Sequence, residues 1–167
     1  MFKMTGALLI ASAAAWFGFA AADRLKRRRD FLIAFGTSLT VLETEIEFGR
    51  YELKRIFKRI GDDKKLYGFY GICGDEIKEK GIKKAWSSAV EKAADAASLM
   101  SSDKDAILAL GHELGMSDVS GQKKSIERCA SLLSQGAENA GSEYTRLAKV
   151  YRSCGILAGA FIVLMFI

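Results

Sequence analysis

Apolar residues recur along this chain at helical spacing. Between Phe31 and Phe48, Leu32, Phe35, Leu39, Leu42 and Ile46 follow one another at intervals of three and four, which lines a single helix face. No proline separates this stretch from the residues before it, so one helix is expected to run through both, with Gly36 the place for a bend and Gly49 the stop. A short helix around Tyr51 to Ile60 turns Leu53, Ile56, Phe57 and Ile60 inward, and Gly61-Asp62-Asp63 reads as a turn and cap. A third helix, from Lys64 to about Glu79, buries Leu66, Phe69, Tyr70, Cys73 and Ile77. After a turn at Gly81, a fourth from Ile82 to about Met100 buries Trp86, Val90, Ala93 and Ala97. Ser101-Ser102-Asp103 is expected to cap a further helix ending near Leu110 to Gly115. In the last segment Ile126, Ala130, Leu133, Ala137, Ala140, Tyr144, Leu147, Tyr151 and Cys154 keep strict four-three spacing. One helix of about 48 residues, near 72 Å, is therefore predicted to begin after Ser117-Asp118 and to pair antiparallel with the first.

Both ends are apolar. Residues 4–22 carry no charge and would span about 28 Å as a helix, close to the hydrocarbon thickness of a bilayer. Residues 154–167 are also uncharged, and no polar face interrupts the stretch from Phe161 to Ile167. Ala20-Ala21-Ala22 could serve as a signal-cleavage site, giving a periplasmic adaptor. The basic residues immediately behind it favour a retained anchor, because they resist translocation. Arg24, Lys26, Arg27, Arg28 and Arg29 flank the first run, and Arg152 precedes the second. One topology satisfies both: the intervening domain in the cytoplasm and both termini outside. The expected division is a transmembrane helix over 1–22, a basic juxtamembrane segment over 23–30, a cytoplasmic helical domain over 31–152 and a second transmembrane helix over 153–167. The fold class is all-α, a membrane-anchored bundle whose long antiparallel pair is capped by shorter helices.

Composition adds little that disagrees. The 167 residues include 16 glycines and no proline, 27% are charged, and the net charge is +5. The basic excess sits beside the first apolar run rather than along a face, which argues against nucleic-acid binding. The cysteines Cys73, Cys129 and Cys154 lack metal or redox spacing, and His112 is the only histidine. Gly111 and Gly115 fit neither a P-loop nor a dinucleotide loop. Glu43, Glu45 and Glu47 have no companion base. The chain is read as a non-enzyme without cofactor or metal.

Four stretches resemble the stage III sporulation protein AB family. They are Leu42-Glu43-Thr44-Glu45-Ile46-Glu47-Phe48-Gly49 behind the basic run; Ala85-Trp86; Leu110-Gly111-His112-Glu113-Leu114-Gly115-Met116-Ser117-Asp118-Val119-Ser120-Gly121-Gln122; and Tyr151-x-x-x-Gly155-x-x-x-Gly159. The sequence departs from the family after the first helix, where Tyr51-Glu52-Leu53 lacks the usual proline before the leucine. Leu110, Gly111, Leu114, Gly115 and Ser117 read as a structural corner: Gly115 can take the left-handed stop, Ser117 or Asp118 can cap the last helix, and Gln122 lies in its first turn. The resemblance implies a membrane protein of the mother cell, in the membrane surrounding the forespore. It would be part of a channel-like sporulation apparatus, with a domain similar to type II secretion platform proteins. The partners it implies are a secretion-type ATPase and other channel components, alongside membrane lipid. Glu43, Glu45, Glu47, Asp118 and Gln122 are the expected contacts. The alternative is a generic tethered scaffold that self-associates through Ala130, Leu133, Ala137, Ala140, Tyr144 and Leu147.

Overall fold

The computed structural model describes the backbone of residues 2–48, 53–60, 63–116 and 118–166, with side chains over 16, 18–47, 53–60, 63–116, 118–151 and 153. Within these, five α-helices and one 3-10 turn follow in order: α1 (Phe2–Phe48), α2 (Leu53–Ile60), the turn Lys64–Leu66, α3 (Phe69–Ala97), α4 (Ser101–Glu113) and α5 (Val119–Phe166). The described residues contain no strand. The all-α expectation holds, and the last helix has its expected start and its 48 residues.

Two helices of about 70 Å, α1 and α5, form the spine. Their order along one another is antiparallel: Gly18 lies beside Tyr151, Gly141 beside Arg29, Gly136 beside Leu32, and Lys123 beside Glu43 and Glu47. α1 continues through Gly36 without interruption. α3 is broken at Gly81, whose φ of 75° and ψ of 165° only glycine adopts readily, so the expected turn is present there. The helix after it stops at Ala97, three residues short of Met100, because Ser98 turns left-handed and its N–H and that of Leu99 return to the carbonyls of Asp95 and Ala94.

The short helices close an aromatic core on the outer half of the spine. Phe35 of α1 stands among Phe31, Phe69, Tyr70 and Trp86, with ring centroids 5.0 to 6.2 Å apart. These separations suit edge-to-face and offset contacts. Each polar atom in this cluster is satisfied. Ser38 Oγ donates to the Phe35 carbonyl at 2.6 Å, which leaves the Tyr70 hydroxyl to donate to Ser38 at 2.7 Å. Trp86 Nε1 donates to the carbonyl of Ile107 at 2.7 Å.

The basic segment is not a separate piece. Arg28, expected to flank a membrane, is instead buried, its side chain 6% exposed against 4% for Asp103 at the start of α4. The guanidinium grips that carboxylate through Nε at 2.6 Å and Nη2 at 3.0 Å. A buried guanidinium held at two points cannot reach lipid headgroups. Gly136 of α5 makes the room: a Cβ there would stand 3.0 Å from Asp103 Oδ1 and 3.2 Å from Leu32 Cδ1. Arg24, Lys26, Arg27 and Arg29 remain exposed or half-exposed, Arg27 bridging to Asp23 at 3.2 Å. The Arg152 side chain lies outside the described residues.

The expected self-association stripe is also used within the chain. Leu133, Ala137 and Ala140 are buried, with Ala130 packed on the same core, and α1 is the helix that covers them. The stripe's Tyr144 stays exposed and its Leu147 half-buried. The described residues contain no helix long and apolar enough to cross a membrane. Most of the first apolar run and all of the second lie outside the residues whose side chains are described, so the two expected anchors fall there.

Candidate functional site

The corner between α4 and α5 is built by a small set of backbone and side-chain contacts. Leu110 and Leu114 are buried one turn apart and pin the end of α4 to the core. Gly111, between them, lies against Trp86, and a Cβ at this position would overlap the indole ring. It is also one turn beyond Ile107, so its bare face leaves the Ile107 carbonyl open to Trp86 Nε1 as a second donor. Ala85-Trp86 and the Leu-Gly repeat, separate in sequence, are thus one packing unit.

Gly115 then takes φ of 76°, the left-handed stop expected of it. Asp118 Oδ1 accepts the N–H of Gly121 at 3.0 Å, capping α5, and the Asp118 carbonyl accepts the first intrahelical bond from Gln122 at 3.0 Å. The Gln122 side chain reaches back to accept the N–H of Gly115 at 3.3 Å. Glu113 accepts from Ser125 across the same bend. Ser117 lies outside the described residues. Asp118 and Gln122, expected as partner contacts, are therefore engaged in holding the corner's backbone. Among the residues the corner turns outward are two large apolar ones: Met116 is 68% exposed and Val119 is 49% exposed. Neither is among the expected contacts, although an apolar residue on each side of a cap is a visible signal in the sequence.

The three glutamates separate. Glu43 and Glu47 face α5, where Lys123 Nζ lies 3.2 Å from one and 3.5 Å from the other. Glu45 turns away to accept from Arg59 of α2 at 2.6 Å. They clasp neighbouring helices from two sides instead of forming a common acidic face. The hydrogen bond to Glu43, aided by the charge of Glu47, holds Lys123 above the usual lysine range.

Burial pushes the Cys73 thiol well above its ordinary range and the Cys129 thiol up to about 12, so neither is a ready nucleophile. His112 is exposed near the end of α4. Among the described residues no three His, Cys, Asp or Glu side chains are grouped to hold a metal.

Fold and corner together define an all-α protein built on a two-helix spine, with a rigid bend at the outer end. The family model for stage III sporulation protein AB matches residues 3–167, and the chain belongs to that family. The stage III sporulation protein AB of Bacillus subtilis (strain 168) is 27% identical over 170 residues, covering 99% of both chains. A solved structure of stage III sporulation protein AB (SpoIIIAB) superposes with a TM-score of 0.64 at 22% identity, over 71% of this chain and 97% of that one, and supports the fold.

Proposed function

We propose that this protein is a non-catalytic membrane platform of a sporulation-stage assembly, anchored by residues 4–22 and 154–167 and presenting its helical domain to the cytoplasm of the mother cell. One observation carries the reading. The antiparallel spine brings the two uncharged ends of the sequence to the same end of the molecule, with Phe19 and Tyr151 stacked at 6.5 Å where the helices leave the packed domain. A protein with both apolar ends together and its caps at the opposite end is shaped to stand on a bilayer. The exposed cations Arg24, Lys26, Arg27 and Arg29 then lie on the inner side, where positive charge is favoured.

The outer corner is the natural place for a partner. Met116 and Val119 flank a bend whose backbone is fixed by Asp118 and Gln122, so docking there costs little ordering. A secretion-type ATPase of the same apparatus is the partner we assign to it, with other channel components around it. The topology test is accessibility in intact cells: a reporter near residue 61 should be protected and a C-terminal tag exposed. A reporter open to external protease would place the domain outside the cytoplasm and end the ATPase reading. For the docking, Met116→Ser with Val119→Ser should abolish capture of the ATPase by the membrane-bound protein while the helix content stays unchanged. Undiminished capture would remove the corner as the contact.

A further inference from the structure

The stretch from Phe31 to Leu42 contains no charged residue at all. Its inner positions, Phe31, Leu32, Phe35, Leu39 and Leu42, account for one face. The outer face would ordinarily be charged in a solvated helix. Here it carries Ile33, 48% exposed, then Thr37 and Val41, 40% exposed, one turn apart. Beside this ridge runs a groove of about 730 Å³ between α1 and α5, with Gly36, Ala137 and Gly141 among its lining. Three of the hydroxyls along it are spent on their own helices: Thr37 donates to the Ile33 carbonyl, Ser142 to that of Asn139 and Thr145 to that of Gly141, at 2.9 to 3.0 Å. Gly36, Ala130, Ala137 and Gly141 leave room in it for a ridge of methyl groups, with Arg29 and Glu138 on its walls.

We propose that this face is the interface with a second copy of the chain, related by a two-fold axis parallel to the spine. The inference rests on the membrane reading above. A ridge adjoining a groove is self-complementary, because one two-fold seats each ridge in the other's groove. Anchoring both copies in one bilayer fixes them parallel and at equal height, so each residue meets residues of its own level. Arg29, whose side chain crosses Gly141, and Glu138, less than one turn away on α5, stand at nearly the same level on opposite walls of the groove. Among the described residues neither has an ion-pair partner in its own chain. Across the two-fold, each Arg29 faces the partner's Glu138, giving two identical charge pairs at the rim of an uncharged contact.

The test uses the full chain in membranes, with Cys154→Ser to remove the cysteine of the terminal run. Two differently tagged copies are co-expressed, one carrying Thr37→Cys and the other Ser134→Cys, and are oxidised. The expected product is a mixed disulfide dimer in the membrane fraction. It should fall roughly tenfold with Arg29→Glu in both copies and return when Glu138→Arg is added. Three results overturn the proposal: no mixed dimer in a chain that does fractionate with membranes, a cross-link formed only between Ile33→Cys and Val41→Cys, which means antiparallel copies, or a cross-link to a protein of different mass. Fractionation separates the two readings, since a chain absent from membranes refutes the anchors whatever the cross-link does, and the parallel two-fold loses its basis with them.

Discussion

The first helix is clasped by charge at two heights, to α4 at one and to α5 at the other, and the two clasps are made differently. Near the inner end Arg28 meets Asp103 in a dry, two-point contact, with Gly136 shaved to admit it. Near the outer end Lys123 lies between Glu43 and Glu47 in partial contact with water. Coulomb attraction exists in both, but desolvation decides what each is worth. A buried pair is costly to form and much costlier to break, whereas an exposed one is screened and nearly neutral. The inner clasp is therefore expected to fix which way α1, α4 and α5 meet, and the outer to trim the fit.

The largest effect should follow from halving the inner clasp. Arg28→Ala strands the Asp103 carboxylate and should cost about 3–5 kcal/mol in urea unfolding of the solubilised chain. Asp103→Ala should cost about 1 kcal/mol more, because Asp103 Oδ2 also accepts the N–H of Met100 and so caps α4. The sharper test is Arg28→Met with Asp103→Leu together. If the pair serves specificity more than stability, this double variant recovers most of the loss. A double variant as unstable as either single one would make the pair a net source of stability.

Gly136→Ala comes next. In an ordinary helix this exchange gains about 1 kcal/mol. Here the new methyl meets Asp103, which is held by both Arg28 and Met100 and cannot move aside. Overpacking should outweigh the propensity gain and leave a net loss of about 1–2 kcal/mol. Placed in the Arg28→Met, Asp103→Leu background, the same change should become harmless or stabilising; an equal loss in both backgrounds would mean that the clasp is not what Gly136 accommodates.

Much of this was legible in the chain itself, for reasons that also explain what was not. Helix periods, the start of α5, the break at Gly81 and the stop at Gly115 follow from local chemistry that neighbours in sequence decide. The Arg28–Asp103 contact joins residues 75 apart, and no local rule pairs them. A signal was nonetheless present. Arg28 continues the inward stripe of Leu32, Phe35 and Leu39 by one more four-residue step, and Asp103 continues that of Ile107, Leu110 and Leu114. Each was read by its charge, as a membrane flank or a cap, rather than by its position. Glu43, Glu45 and Glu47 were likewise treated as a group because they are close in sequence, although alternate residues on a helix point to different sides. Gly111 belongs to the expected corner, but its main contact, Trp86, lies in another helix and no local rule joins the two.

The smallest effects belong to the outer clasp. Lys123→Ala should lower stability slightly at low salt and leave it unchanged in 1 M salt. Alkaline pH isolates the same contact without removing a side chain. The hydrogen bond to Glu43 and the charge of Glu47 raise the folded-state value of Lys123 above 10.5. Its contribution is accordingly complete below the unfolded value and is lost as pH rises through the folded one. Comparing the native chain with Lys123→Arg cancels every other group that titrates. Their stability difference should stay flat up to about pH 10.5 and open above it in favour of the arginine variant. A difference that stays flat through pH 12 would mean that Lys123 contributes no charge-dependent contact to the spine. In that case apolar packing alone holds α1 to α5, and the buried pair holds α1 to α4.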